Sequence, residues 1–276
     1  MARRRLDQLL VKRGLVSSRA QAQELIVSGA VYVRGFPQKK VSTQIDEDAP
    51  LALQAVERQW VSRGAYKLLQ GLDIFSVDVQ DRVCLDVGAS TGGFTEVLLD
   101  RGARRVYAVD VGYGQLAWKL REDPRVIVME RTNARYLTTA SLEEEMGIVV
   151  SDASFISLRL LLPALERIGS HECHWILLVK PQFEAGKGRV GKGIIRDRAL
   201  HLALLEELAG FVSRETRLVL IGATYSPVQG PKGNIEFLFH LKREGQPLST
   251  ETLGTVVDEA HAFFKSGNHS SEGELP

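Results

Sequence analysis

The feature that most constrains the fold of this 276-residue chain is an alternation, from Ser62 onward, of short apolar runs with amphipathic helical patterns. Buried strands that alternate with helices predict a parallel sheet covered on both faces. The last two runs follow each other without a long helix between them, which favours an antiparallel strand at one edge. We therefore expect an α/β fold with a seven-stranded, mostly parallel sheet. The predicted strands are 82–87, 105–111, 126–129, 148–150, 175–179, 217–221 and 235–241, and the predicted helices are 94–100, 115–121, 158–168 and 198–212.

The first 56 residues follow a different pattern. A leucine stripe that starts at Leu6 and ends at Gly14 predicts one helix. Ser18, with a glutamine three residues later, predicts a capping box for a second helix over 19–28, which Gly29 ends. We expect a strand over 31–33, a turn over 34–37, and segments 41–45 and 51–53 that pair back. Two helices and a small hairpin resemble the S4-type RNA-binding module.

Charge is unevenly distributed along the chain. Residues 1–40 contain nine Arg and Lys against Asp7 and Glu24, a net charge of +7 in a chain whose total is +1. This asymmetry favours a polyanionic partner, and a solvated helix face is the alternative. The predicted RNA contacts are Arg3, Arg4, Arg5, Lys12, Arg13, Arg19, Lys39 and Lys40, together with Arg63, Lys187 and Arg189 farther along.

These patterns divide the chain into an RNA-binding domain (1–56), a linker (57–61), a second domain (62–268) and a flexible tail (269–276). No apolar run approaches the roughly 20 residues of a membrane span. The basic start has no apolar stretch after it, so no secretory signal is expected. Two cysteines, Cys84 and Cys173, suit a reducing compartment. We expect a cytoplasmic protein without a membrane partner.

A glycine-rich turn follows the first strand of the second domain. Asp86 ends that strand, three glycines follow, and Asp110 ends the second strand 24 residues later, where its carboxylate could accept two ribose hydroxyls. The spacing G-x-x-x-G-G differs from the dinucleotide pattern G-x-G-x-x-G, so it favours S-adenosylmethionine over NAD. An NAD-dependent oxidoreductase is the alternative. The predicted cofactor residues are Asp86, Gly88, Ala89, Ser90, Thr91, Gly92, Gly93, Phe94, Asp110, Asn133, Ala134 and Asp152.

Four charged residues are expected at the same edge of the sheet. Asp152 and Lys180 end the fourth and fifth strands, Glu236 begins the last one, and Lys67 belongs to a helix before the first. Each alone is typical of a solvated or paired charge. Two ammonium and two carboxylate groups around one edge of the cofactor indicate a catalytic site.

Several segments resemble the TlyA family of ribosomal RNA 2′-O-methyltransferases over nearly the whole chain: 62–68, 86–95, 107–116, 151–158, 178–184 and 233–238. The second domain is similar to the FtsJ-type ribose methyltransferases, whose Lys-Asp-Lys-Glu tetrad falls on Lys67, Asp152, Lys180 and Glu236. The resemblance implies a Rossmann-like class I methyltransferase fold after an S4 domain. It also implies S-adenosylmethionine as cofactor, cytidines of 16S and 23S ribosomal RNA as targets, and ribosomal subunits as partners. The N-terminal helix and C-terminal extension resemble the longer, dual-substrate subtype.

The chemistry of ribose methylation assigns roles to the four charges. Holding the 2′-oxygen in line with the S–CH₃ bond supplies about 7–11 kcal/mol through proximity and orientation. Our hypothesis is that Lys180 contacts the 2′-oxygen, while Asp152 and Lys67 tune it. Glu236 orients either Lys67 or the ribose.

Other patterns carry weaker expectations. The glycine- and lysine-rich loop 184–194 either closes over an RNA backbone or is an ordinary surface loop. Phe94, Tyr113 and Trp118 are expected to pack in the core, with stacking on a base as the alternative. His171 and its neighbours lack partners at metal-site spacing, so no metal is expected. The competing functions are a membrane-acting haemolysin, a name this family has carried, and an RNA-binding protein without methyltransferase activity. The sequence specifies no oligomeric state.

Overall fold

The computed structural model describes residues 3–53, 59–186, 189–190 and 193–267. The chain divides into two compact units, Met1–Gln59 and Trp60–Pro276. Part of the predicted linker (57–58) and the whole predicted tail (269–276) lie outside the described residues.

The first unit packs two helices against short strands around a small apolar core that includes Leu6, Leu10 and Ile26. The second helix begins and ends at the predicted residues. Ser18 Oγ accepts a hydrogen bond from the Gln21 amide, but the Gln21 side chain accepts from Ser17 instead of Ser18, so only half of the predicted capping box forms. The elements are β1 (Arg3–Arg5), α1 (Leu6–Lys12), α2 (Arg19–Ser28), β2 (Val31–Val33), β3 (Phe36–Gln38), β4 (Gln44–Asp46) and β5 (Leu51–Leu53).

The strand pairing of this unit corrects two predictions. Strand β2 pairs with β3 and β5, so the segment predicted as a turn over 34–37 is half strand. The turn itself is confined to Arg34 and Gly35, which both have positive φ, as two-residue hairpins with right-handed strand twist require. The segment predicted over 41–45 does not pair back onto the hairpin, because β4 pairs with β1 in a separate two-stranded sheet.

The second unit is built on a seven-stranded sheet, which confirms the predicted fold class. The strands are β6 (Val83–Val87), β7 (Arg105–Val109), β8 (Val126–Met129), β9 (Met146–Ser151), β10 (Gly169–Val179), β11 (Val219–Tyr225) and β12 (Phe237–Lys242). Their order is β11-β12-β10-β9-β6-β7-β8. Strand β12 runs antiparallel to both neighbours. The last two strands of the chain therefore form an antiparallel pair at one end of the sheet, as predicted. Strand β11 is outermost and mostly half-buried, whereas β12 lies inside it and is buried over nearly its whole length.

Helices cover both faces of this sheet. Leucines of α3 and α4 pack on one face, and leucines of α6 and α8 pack on the other, as in a sheet that is apolar on both sides. Helix α9 was not predicted, although Leu253, Val256, Val257 and Ala260 form a buried stripe at helical spacing. The helices are α3 (Gly64–Ile74), α4 (Gly93–Asp100), α5 (Trp118–Arg121), α6 (Leu158–Ile168), α7 (Pro181–Glu184), α8 (Arg198–Glu215) and α9 (Thr250–Gly267). No helix in the described part of the chain is long and apolar enough to cross a membrane.

Candidate active site

The turn between β6 and α4 depends on glycine at two positions. Gly88 has a φ of +81°, and a Cβ atom there would lie 2.9 Å from the Cα atom of Ala153. Gly92 has a φ of +97°, and a Cβ atom there would lie 2.2 Å from the side chain of Leu120. Both positions combine a left-handed backbone with a close neighbour, so any side chain would displace the turn.

A cavity of about 450 Å³, which we call the large cavity, opens beside this turn. Asp110 lies in its wall with its carboxylate held by two backbone amides, Ser90 N–H at 2.8 Å and Gly112 N–H at 2.7 Å. Predicted cofactor residues that line this cavity are Gly88, Ser90, Asp110, Asn133, Ala134 and Asp152.

A second cavity of about 250 Å³, the turn cavity, is lined by residues of the turn and by three of the four predicted catalytic residues. All the predicted cofactor residues except Asp86 and Gly92 line one of these two cavities. The turn residues in the second are Gly88, Ala89, Ser90, Thr91, Gly93 and Phe94, which stand with Lys67, Asp152 and Lys180.

Asp86 lies behind the turn. It is fully buried, and its Oδ2 atom accepts a hydrogen bond of 2.6 Å from Thr95 in the first turn of α4. Its Oδ1 atom has no hydrogen-bond partner among the described residues. Burial raises the pKa of Asp86 to about 7, because the hydrogen bond from Thr95 offsets only part of the cost of removing the carboxylate from water. The structure therefore places Asp86 where it supports the turn from inside.

The four predicted catalytic residues form one connected cluster. The Nζ atom of Lys67 on α3 lies 2.7 Å from Glu236 Oε2 and 3.2 Å from Asp152 Oδ2. The Nζ atom of Lys180 lies 2.6 Å from the other oxygen of Asp152. Asp152 thus bridges the two ammonium groups, and Lys67 is the cation that pairs with Glu236 among the described residues.

Every donor of Lys180 is engaged. In addition to the ion pair with Asp152, its Nζ atom donates to Ser154 Oγ at 2.7 Å and to the Asp152 carbonyl oxygen at 3.2 Å. An ammonium group has three N–H donors, so a further acceptor must replace one of these three.

Lys67 remains charged despite its burial. Burial is the largest single influence on its pKa and lowers it, but the charges of Asp152 and Glu236 and their hydrogen bonds together outweigh that effect. The net result is a raised pKa for Lys67.

A third cavity of about 380 Å³ shares Ser154 and Lys180 with the turn cavity. Phe155 and Phe183 stand in its wall with their ring centroids 5.3 Å apart. Ser154 lines all three cavities. Sequence reasoning missed Ser154, although its place two residues after Asp152 on the same strand-end loop was a signal.

The predicted RNA contacts of the first unit are mostly engaged with acidic residues. Arg5 and Arg19 bind Asp7, and Arg3 binds Asp46. Arg4 and Lys12 bind Glu47, while Arg13 donates to the carbonyl oxygens of Glu47 and Ala49. The charge count over residues 1–40 omitted Asp46 and Glu47, which the fold brings back onto the arginines.

Three predicted RNA contacts are exposed and carry no ion pair within the described residues: Lys39, Lys40 and Arg63. Arg189 pairs with Glu207 at 2.7 Å. Lys187 and part of the loop 184–194 lie outside the described residues.

Of the three aromatic residues expected in the core, Phe94 is buried, as predicted. The prediction was wrong for Tyr113 and Trp118, whose side chains are about 70% exposed. The Arg131 guanidinium lies 4.3 Å from the Tyr113 ring centroid. The described residues contain no cluster of three or more His, Cys, Asp or Glu that could hold a metal ion.

The FtsJ-like methyltransferase family profile matches residues 60–243, and the S4 domain profile matches residues 4–49. The chain belongs to the FtsJ-like methyltransferase family. Within that family it is a TlyA-type member. It is 48% identical over 264 residues to the 16S/23S rRNA (cytidine-2′-O)-methyltransferase TlyA of Mycobacterium tuberculosis, over 94% of this chain and 98% of the relative.

Two further relatives carry a different name. Hemolysin A of Brachyspira hyodysenteriae is 39% identical over 86% of this chain and 98% of its own length. A solved structure of a hemolysin candidate from Streptococcus thermophilus superposes with a TM-score of 0.74 at 41% identity, covering 98% of this chain and 99% of the other.

Proposed function

We propose that this protein methylates the ribose 2′-hydroxyl of cytidines in 16S and 23S ribosomal RNA, with S-adenosylmethionine as the methyl donor. The observation that carries the proposal is the Lys67–Glu236–Asp152–Lys180 cluster between the turn cavity and the third cavity. Two buried cations joined by a carboxylate next to a glycine turn suit a reaction in which an oxygen gains negative charge.

The residues around the large cavity fit the proposed cofactor. Asp110 presents a carboxylate, held by two backbone amides, for ribose hydroxyls, and Gly88 removes the Cβ atom that would fill the approach beside Ala153. The chemistry that S-adenosylmethionine supplies when bound is an activated methyl group on a positively charged sulfur. The turn itself binds through backbone and small side chains, as close approach requires.

Lys180 is the group that we assign to the 2′-oxygen. Its longest hydrogen bond, to the Asp152 carbonyl at 3.2 Å, is the one that an incoming hydroxyl displaces most easily. As the methyl group is transferred, the hydroxyl loses its proton to solvent water, and the ammonium stabilises the negative charge that develops on the oxygen. Asp152 holds Lys180 in place through the shortest contact of the cluster.

Lys67 acts through its charge and not as a base, because its raised pKa keeps it protonated at neutral pH. Between the two roles considered for Glu236, the 2.7 Å contact favours orienting Lys67 over binding the ribose. Lys67 in turn keeps one oxygen of Asp152 oriented while the other oxygen binds Lys180.

The acceptor is inferred from the first unit and from the relatives. An S4 domain suits structured RNA, and the Mycobacterium tuberculosis relative modifies cytidine in both ribosomal RNAs by its name. We therefore assign residues 1–56 to RNA binding and residues 62–268 to catalysis. Because ribosomal subunits are assembled in the cytoplasm, we assign the enzyme to that compartment.

The test is transfer of a labelled methyl group from S-adenosylmethionine to purified 30S and 50S subunits, followed by mapping of the modified nucleotide. We expect label on a cytidine ribose that resists alkaline cleavage at its 3′ side. Label on a base, or no label on either subunit with protein that binds the cofactor, would contradict the proposal.

Two relatives carry the name haemolysin, so the same protein preparation is also tested for membrane lysis. We expect no dye release from liposomes at concentrations that methylate subunits. Release that persists in a variant without methyl transfer would favour the membrane activity instead.

A further inference from the structure

The third cavity contains a side-chain amide whose hydrogen bonding is incomplete. Gln182 lines this cavity, and its Oε1 atom is buried without a hydrogen-bond partner among the described residues. A buried acceptor that lacks a donor has lost its hydrogen bonds to water without replacement, so a bound group that donates to it is stabilised.

The other amide of this cavity is fully hydrogen-bonded, and its charged side chains are paired at one atom or exposed. Both groups of the Asn234 side-chain amide are hydrogen-bonded. Its oxygen accepts from Ile195 N–H at 3.0 Å, and its nitrogen donates to the Gly193 carbonyl at 2.9 Å. Glu236 pairs with Lys67 through Oε2, and its Oε1 atom is a second buried oxygen without a hydrogen-bond partner among the described residues. Lys180 donates to Ser154. The remaining polar residue, Lys232, is exposed. Gln182 is therefore the amide of the cavity wall with hydrogen-bonding capacity to spare.

Gln182 is held at a fixed place relative to Lys180. Helix α7 begins directly after Lys180 and includes Gln182. Its last residue, Glu184, is buried and accepts hydrogen bonds from Ser157 Oγ at 2.6 Å and Leu158 N–H at 2.8 Å. One short anchored segment thus carries both the lysine assigned to the 2′-oxygen and the free amide, as recognition of two parts of one nucleotide requires.

We propose that Gln182 recognises the base of the target nucleotide by hydrogen bonds to its polar edge. The proposal rests on the proposed ribose methylation. An amide offers an acceptor and donors side by side, and the edge of cytosine offers an amino donor beside ring acceptors. The terminal torsion of glutamine is broad, so a modest rotation turns Oε1 toward the cavity. Gln182 then accepts from the cytosine amino group and donates to the adjacent ring nitrogen.

The test compares Gln182→Met, which keeps the length of the side chain but removes both hydrogen-bonding groups, with the unaltered protein. The substrates are ribosomal subunits with the native target cytidine and subunits in which uridine replaces that cytidine. We expect the native protein to prefer cytidine and Gln182→Met to lose about tenfold to hundredfold in rate on cytidine. Its rate on uridine should change little, so the ratio of the cytidine rate to the uridine rate should fall toward one.

The matched control is Gln80→Met, at an exposed glutamine before strand β6, which should retain both rate and preference. Cofactor affinity, measured by calorimetry, should be the same in all three proteins. A Gln182→Met protein that keeps its cytidine preference, whether at a full or a reduced rate, would overturn the inference. Failure of the unaltered protein to methylate either subunit would instead overturn the proposed function.

A second variant keeps the inference testable if Gln182→Met does not fold. Gln182→Glu preserves the shape and an acceptor oxygen but loses the donor. It should lose less rate on cytidine than a variant without either group, such as Gln182→Leu, and should keep part of the preference. Equal losses in the Glu and Leu variants, with equal preference, would show that the acceptor oxygen does not contact the base.

Discussion

Two carboxylates of this protein each bridge two cations from different elements, one in each unit, with opposite patterns of burial. Asp7 is completely buried, whereas the side chains of its partners Arg5 and Arg19 are 36% and 55% exposed. Asp152 is 20% exposed, whereas Lys67 and Lys180 are 10% and 7% exposed. The same motif therefore places water around the cations in the first unit and excludes it from them in the second.

This difference in burial sets the electrostatic environment of each cluster. The hydrogen bonds from Arg5 and Arg19 hold the pKa of Asp7 well below its usual range, which stabilises the ionised carboxylate inside the first unit. The hydrated guanidinium groups are screened, so their field is short-ranged. The two lysines lie in a low dielectric, so their charge acts strongly on whatever enters the neighbouring cavities.

Removing a buried cation should have the largest effect. Lys180→Ala is expected to reduce methyl transfer at least about 100-fold, because the developing alkoxide loses its ammonium partner. Cofactor affinity should change little. Single-turnover transfer to subunits and calorimetry with S-adenosylmethionine measure the two quantities. Lys265→Ala, at an exposed lysine of α9, is the control, and residual turnover within tenfold of the unaltered enzyme would contradict the assignment.

Replacing one carboxylate in each unit by its amide tests whether the two clusters contribute differently to stability. Glu236→Gln leaves Lys67 buried with a single acidic partner and should lower the free energy of unfolding by about 1.5–3 kcal/mol. Asp7→Asn should cost about 1 kcal/mol, because its exposed arginines regain water. Urea titration of the full chain, with hydrogen exchange to separate the two units, measures both. Equal losses of unfolding free energy in the two variants would show that the two clusters do not differ in their contribution to stability.

Asp86 is a third buried carboxylate, and it forms no ion pair with any of the described residues. Its pKa is raised to about 7 in the folded protein from 3.8, so the folded state keeps the proton that the unfolded state has lost. This contribution to stability is complete below pH 4 and declines by about 1.4 kcal/mol per pH unit as the pH rises to 7. Asp86→Asn should remove that slope. Unfolding of both proteins between pH 5 and 8 measures the difference, and parallel curves would show that Asp86 ionises normally.

The smallest effect is expected from the exposed cations of the first unit. Lys39 and Lys40 carry no ion pair within the described residues, whereas Lys12 pairs with Glu47. Replacing both free lysines by alanine should weaken subunit binding and reduce the salt slope by about one for each phosphate that is no longer neutralised. Lys12→Ala should change the slope less. Binding measured over a series of salt concentrations distinguishes them, and a larger change for Lys12 would reverse the assignment.

Most of the second unit could be predicted, because its strands and its glycine turn are specified by residues that are neighbours in the sequence. Each apolar run marked a strand, and the glycine spacing indicated a turn that needs left-handed backbone at Gly88 and Gly92. The four charges were placed at one edge by the rule that parallel strands end together. The pairing of Arg3–Arg5 with Gln44–Asp46 was missed, because three arginines carry no strand pattern and their partner is distant in the sequence.

The α/β fold, the glycine turn and the identities of the four charged residues follow from the order of the amino acids, because periodicity and turn chemistry act over a few neighbouring residues. The contacts between those charges depend on the folded chain. Lys67 and Glu236 are separated by 169 positions, and their contact is the basis for our proposal that Glu236 orients Lys67. The tertiary fold also pairs Asp46 and Glu47 with cations of the basic segment, and it leaves Gln182 Oε1 without a hydrogen-bond partner among the described residues. Burial and long-range pairing set these properties, and neither is visible in a local pattern of residues.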